Sequence, residues 1–316
     1  MSFTPVKRTW NNKINVVTIG EGENAVQIGG QSALPFMHEE GEMPHPPRIA
    51  LDVFDEVPDT WSDVLLDAIG DVSGDPVAWA QKGAEEWGVD LISLHLTKHA
   101  REDNPASPEA CADLALKIAE TTNLPLIIWG GDEEDADRAM YPTVSQALAG
   151  KRCLFGSVTE DSYRTLTATC IADGHNVIGE SPIDINICKQ VNILVTDMGL
   201  PEDRIVIFPT NGALGYGLEY AYSILERTRL AALGGDRMMA MPVLVIAGPE
   251  VQRTKEVKAD VDEFPEWGSK MERNIVWETV TAASYLQSGS DIVTMLHPEA
   301  IRLIRGHIDD LMPGDC

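Results

Sequence analysis

Apolar residues in this chain fall into short runs, and the runs are separated by longer stretches of helical spacing. The strand-like runs are RIALDVF (48–54), DLISLHL (90–96), LPLIIWG (124–130) and CLFGS (153–157), followed by NVIGES (176–181), RIVIFP (204–209), PVLVIAG (242–248) and DIVTMLH (291–297). They are rich in β-branched and aromatic residues and apolar almost throughout, as expected of strands covered on both faces. Between them lie amphipathic segments such as PEACADLALKIAETT (108–122) and EYAYSILERTRLAAL (219–233). Strands alternating with helices imply parallel pairing through right-handed crossovers. Eight such units fit a TIM (β/α)₈ barrel, which takes about 250 residues. A doubly wound open sheet is the alternative, but LDVFDEVPDTW (51–61) lacks the phosphate fingerprint usual after its first strand.

Residues 1–47 stand apart from the barrel, which runs over 48–316. KINVVTIG (13–20) and NAVQIGG (24–30) flank a Gly-Glu-Gly-Glu turn and predict a β-hairpin that plugs the N-terminal end of the barrel. The Pro-rich connection 34–47 carries His38, Glu39, Glu40 and His45. Their spacing fits no metal motif, so no metal site is assigned.

Composition narrows the partners. The 316 residues include 50 Asp and Glu against 24 Lys and Arg, a formal net charge of −26. That balance argues against nucleic acid and against an anionic membrane surface. The polar start and the lack of a long apolar run predict neither a leader nor a membrane span, hence a cytoplasmic protein. Cys111, Cys153, Cys170, Cys188 and Cys316 are dispersed and form no C-x-x-C pair. They read as reduced core residues, so the chain by itself should hold no zinc and no iron–sulfur cluster.

In barrels of this kind function sits on the loops after the strands. Those positions offer Ser93, His95 and Thr97; Trp129 to Asp132; Gly156 and Ser157; Glu180, Ser181 and Asn186; Thr210 to Gly212; Ala247 to Pro249; and His297. The set is polar but sparse as catalytic apparatus. It has no strand-end Lys for a Schiff base and no paired metal ligands, and Glu180 is one carboxylate with no obvious partner where a glycosidase needs two. His95 and His297 could serve as acid–base groups, although a strand histidine is more often a satisfied core residue. The many small residues predict a surface open to a bulky, flat partner.

The stretch FPTNGALGYGLEYAY (208–222) places three glycines between a strand and a helix, without a P-loop lysine or a dinucleotide fingerprint. Together with GGQSALPFMHEEGEMPHPPRIALDVFD (29–55), GVDLISLHLT (88–97) and ESPIDINICKQVNIL (180–194), this region resembles the small subunit of the corrinoid iron–sulfur protein. It is also similar to the matching subunit of archaeal acetyl-CoA decarbonylase/synthase. The resemblance runs along essentially the whole chain.

It implies a barrel subunit paired with a large subunit that carries a [4Fe-4S] cluster and most of the contacts to a cobamide. That cofactor carries a methyl group from a methyltetrahydrofolate:corrinoid methyltransferase to acetyl-CoA synthase in the anaerobic acetyl-CoA (Wood–Ljungdahl) pathway. The chain itself is then a non-catalytic carrier subunit capping the cobamide. Thr210, Asn211, Gly212 and Gly215, with Ser181 and Asn186, are expected to face the corrin edge. Amides and hydroxyls suit its amide rim, and glycine lets backbone approach. The rival is a self-sufficient pterin-dependent barrel methyltransferase, with Asn186 and Asn211 binding the pterin.

Overall fold

The computed structural model describes residues 6–210 and 212–312. Two short strands, β1 (Val17–Ile19) and β2 (Val26–Ile28), pair antiparallel across a 3₁₀ turn at Gly22–Asn24. Eight parallel strands follow: β3 (Arg48–Phe54), β4 (Leu91–His95), β5 (Leu126–Trp129), β6 (Leu154–Val158), β7 (Asn176–Glu180), β8 (Ile205–Phe208), β9 (Leu244–Ile246) and β10 (Ile292–Met295). They are ordered β8-β7-β6-β5-β4-β3-β10-β9. The ring closes through a bridge between Ile207 and Val243, and Ile207 N–H donates to Pro242 O at 2.9 Å. Each apolar run of the sequence contains a strand: β3 fills its run, β6 is shifted on to Val158, and the others are trimmed.

Helices start where local chemistry allows. Ser107 caps Pro108–Thr122 by accepting from Ala110 N–H, and left-handed Asn123 ends it. Asp184 caps Ile185–Asp197, and Ser269 caps Lys270–Ser288. The apolar faces of these helices pack on the outside of the sheet as one core cluster. A second cluster fills the barrel: Ala50, Leu91, Ile127, Leu154, Ile178, Val206, Leu244 and Ile292 meet Val17, Ile19 and Ile28 of the hairpin. The hairpin therefore plugs the N-terminal end, and Asn176 Nδ2 donates to Thr18 O at 2.9 Å.

A buried ion pair locks that end. Arg229 donates to Asp291 Oδ2 (3.2 Å), Gly289 O (2.7 Å) and Gln31 Oε1 (2.8 Å). Gln31 in turn donates to Asp291 Oδ1 at 2.6 Å, and Val243 N–H donates to Asp291 Oδ2 at 2.8 Å. One carboxylate thus ties the N-terminal segment to the start of β9 and β10. In the connection that follows the hairpin, His38 bonds Leu311 O while Glu39 pairs with Lys7. Among the described residues no group of three or more His, Cys, Asp or Glu is arranged to hold a metal ion.

Candidate functional site at the barrel mouth

The C-terminal ends of the strands surround a cavity of about 680 Å³. Its floor is a ring of side chains from β3, β4, β5 and β8. Phe54 stacks on His95 (centroids 4.1 Å, 2°), His95 lies parallel to Trp129 (5.8 Å, 8°), and Trp129 meets Phe208 edge-on (5.8 Å). The inward positions of alternate strand residues bring these rings to one level. Under them is a buried polar layer. His95 Nε2 lies 2.7 Å from Asp52 Oδ1, and Thr294 Oγ1 donates to Asp52 Oδ2 at 2.6 Å. Trp129 Nε1–H donates to Ser93 Oγ at 2.9 Å.

The walls carry charge. Ser157 Oγ donates to Glu180, Arg253 pairs with Glu250 at 2.7 Å, and His99 pairs with Asp137 at 2.6 Å. Burial raises the Glu250 carboxyl above the usual range, against the pull of Arg253. Asp55 braces the loop after β4 by accepting from Thr97 N–H and Oγ1–H, both at 2.8 Å. Below the rim on the β10 side, Glu278 is fully buried and accepts from Leu296 N–H (2.7 Å) and His297 N–H (3.0 Å). Burial pushes its carboxyl up to about 7 despite those two donors.

The residues expected to meet a corrin are gathered as the topology requires, but beside the cavity rather than around it. Ser181 N–H donates to Phe208 O, and Pro182 bridges Thr210, so the loops after β7 and β8 form one sector. Ser181 and Thr210 are buried. Asn186 is exposed on the first turn of its helix, Gly212 is half-buried and Gly215 is exposed. Asn211 lies outside the described residues. None of the described five lines the cavity.

The mouth glycines differ in their cause. A Cβ on Gly130 would fall 2.4 Å from Asp137, one on Gly131 2.5 Å from Ala100, and one on Gly156 2.6 Å from Ile178. The chain's own neighbours fill that space, so these small residues do not open the surface as expected. Gly212 has φ +71°, a backbone reason of its own. Gly215 has neither: a Cβ there would meet no atom within 4 Å.

His297 proves to be a structural cap, its Nδ1 accepting from Glu299 N–H at 3.2 Å, and burial lowers its basicity. The described cysteines are buried and apart, and burial pushes the thiols up, Cys111 to about 11 and Cys153 and Cys188 to about 12. Such thiols are poor ligands and poor nucleophiles.

A closed parallel barrel with a polar cavity at the C-terminal strand ends defines the class: a TIM barrel whose mouth is the functional end. Solved structures of dihydropteroate synthases share that architecture. The Coxiella burnetii enzyme in complex with pteroic acid matches with TM-score 0.58 at 11% identity, over 94% of this chain and 100% of that one. The Yersinia pestis enzyme matches with TM-score 0.57 at 12% identity, over 84% and 93%. At such identity the likeness carries the fold alone.

Sequence goes further. Residues 16–304 match the CO dehydrogenase/acetyl-CoA synthase delta subunit family, and the chain belongs to it. The acetyl-CoA decarbonylase/synthase complex subunit delta of Methanothermobacter thermautotrophicus is 33% identical, over 96% of this chain and 77% of that one. Its counterpart in Methanopyrus kandleri is 30% identical, over 93% and 72%.

Proposed function

We propose that this chain is the capping subunit of a corrinoid methyl carrier in the acetyl-CoA pathway. Its barrel mouth covers a cobamide held mainly by a larger, [4Fe-4S]-bearing partner. The observation that carries the reading is the family match along the whole barrel, residues 16–304. The mouth suits such an occupant. A corrin is broad, flat and rimmed with amides, so its ring would cover the cavity while amide arms reach into it. The sector after β7 and β8 offers Gly215 exposed and uncrowded, beside Tyr216 at 72% exposure and the half-exposed Tyr220. Exposed tyrosines around a side-chain-free position are what a partner's surface uses as anchors. Thr210, Asn211, Gly212, Gly215, Ser181 and Asn186 are accordingly assigned to the docking edge.

When bound, the cobamide supplies the nucleophilic cobalt that accepts and donates the methyl group; this chain fences the site and positions its rim. The methyl comes from a methyltetrahydrofolate-dependent methyltransferase and goes to acetyl-CoA synthase. The cluster belongs, on this reading, to the partner, and the dispersed, buried thiols of the described cysteines support it.

The test is co-expression with the large subunit. The heterodimer should bury more than about 2,000 Å² and carry both cobamide and iron, whereas this chain alone carries neither. A chain that stays monomeric beside its partner, or that methylates acceptors without any cobamide, would sink the proposal.

A further inference from the structure

Three histidines show how this fold normally uses imidazole. His175 spends both nitrogens inside the chain, accepting from Cys153 N–H at 3.1 Å and bonding Ser145 O at 3.0 Å. His297 caps a helix, and His38 bonds a helix-terminal carbonyl. His95 differs. Only Nε2 is engaged, at 2.7 Å from Asp52 Oδ1, with Ser93 Oγ 3.5 Å away. The ring cannot turn, because Phe54 covers one face and Trp129 the other. Asp52 is wholly buried, and its second oxygen is occupied by Thr294.

A carboxylate can only accept, so in the neutral ring the proton sits on Nε2. Nδ1 is then a bare acceptor. His95 also lines the cavity, which leaves Nδ1 for whatever docks there. A buried carboxylate, a fixed ring and a nitrogen left for the third partner make a site that holds a proton donor in a set direction.

We propose that Asp52 and His95 form a binding dyad whose Nδ1 accepts a hydrogen bond from an amide N–H on the inward face of the docked cofactor. This deepens the capping role proposed above and rests on it. Asp52 acts as a positioning residue, holding the tautomer, and His95 makes the contact. Other charged groups line the cavity walls, and among them Asp137, Glu134 with Arg138, Glu180, and Glu250 with Arg253 carry partners of their own.

The experiment uses the chain labelled with ¹⁵N-histidine at pH 8, free and in the heterodimer loaded with cobamide. In the free chain His95 should show a single tautomer with the proton on Nε2, and loading should move the Nδ1 resonance. His95→Phe should release cobamide about tenfold faster while circular dichroism stays that of the wild type. A proton on Nδ1 in the free chain overturns the proposal, as does an Nδ1 signal unmoved on loading, which would mean water alone. If His95→Phe fails to fold, the resonance of the wild type still decides. A heterodimer that holds no cobamide refutes the capping role and takes the dyad's ligand with it. Cobamide held with an unmoved Nδ1 refutes the dyad alone.

Discussion

The two ends of the barrel are built from the same eight strands on opposite plans. At the N-terminal end the interior is filled: hairpin residues Val17, Ile19 and Ile28 pack against the first inward layer, and Asp291 and Arg229 fasten the seam where the chain enters β9 and β10. At the C-terminal end the strands stop at a ring of aromatic edges, and above it is a charged hollow. Buried polar groups occur at both ends. At the bottom Arg229, Asp291 and Gln31 hold one another; at the top His95 keeps a nitrogen in reserve. The contrast teaches that burial alone does not tell a brace from a site. What separates them is whether every donor and acceptor is already used.

The contrast is easiest to break from below. Asp291→Ala should cost about 3–5 kcal/mol in urea unfolding, because it strands a buried guanidinium and frees Val243 N–H. If the loss is below about 1 kcal/mol, the bottom is not the brace described here.

Next comes Glu278, which braces the mouth. Its folded carboxyl at about 7 lies above its ordinary value of 4.5. Below pH 4.5 it is protonated in both states and costs nothing. Between pH 4.5 and 7 the unfolded chain ionises first, so the fold loses stability as pH rises, and the loss is complete above 7. Glu278→Gln keeps an oxygen for Leu296 and His297 N–H. It should therefore match wild type near pH 4 and gain on the order of 3 kcal/mol at pH 8. Equal stability gains at the two pH values would contradict this.

Smaller effects sharpen the top end. Gly212→Leu should cost about 1–3 kcal/mol through its positive φ, whatever docks there. Gly215→Leu should leave the free subunit within about 0.5 kcal/mol of wild type in thermal unfolding, since a side chain there meets open space. The same change should abolish cobamide retention by the heterodimer. Wild-type cobamide content in Gly215→Leu would remove this loop from the docking edge.

The fold was legible in the sequence because apolar strand runs, caps and crossovers agree at every level. RIALDVF and IVIF carry their pairing on their faces, and Ser107-Pro108 announces its helix. The mouth was legible only in part. Strand-end position picked out His95, Trp129, Ser157 and Glu180, which do line or floor the cavity. It did not find Asp52, two residues inside an apolar run, nor Glu278 in mid-helix. The signal was there: an acid within a fully covered strand must have a partner, since Asp is almost never buried unpaired. Which partner depends on side chains 43 residues away, His95, and 242 residues away, Thr294, a closeness only the closed barrel creates. The glycines misled for a related reason. Sequence shows that Cβ is missing but not what fills its place, and at Gly130, Gly131 and Gly156 the filler is the chain itself.

The closure of the barrel has a mechanical side. β3 and β4 pair over five residues, whereas β8 and β9 meet at the single bridge from Ile207 to Val243. A ring with one weak joint behaves like a split washer: strain applied anywhere on the rim is relieved at the gap. That gap runs up to the rim between the loop bearing Gly215 and the helix bearing Glu250. Amide exchange of Ile207 should therefore be faster than that of Ile92 or Leu94 in the free subunit. A partner seated across the gap would slow it, clamping the split washer shut.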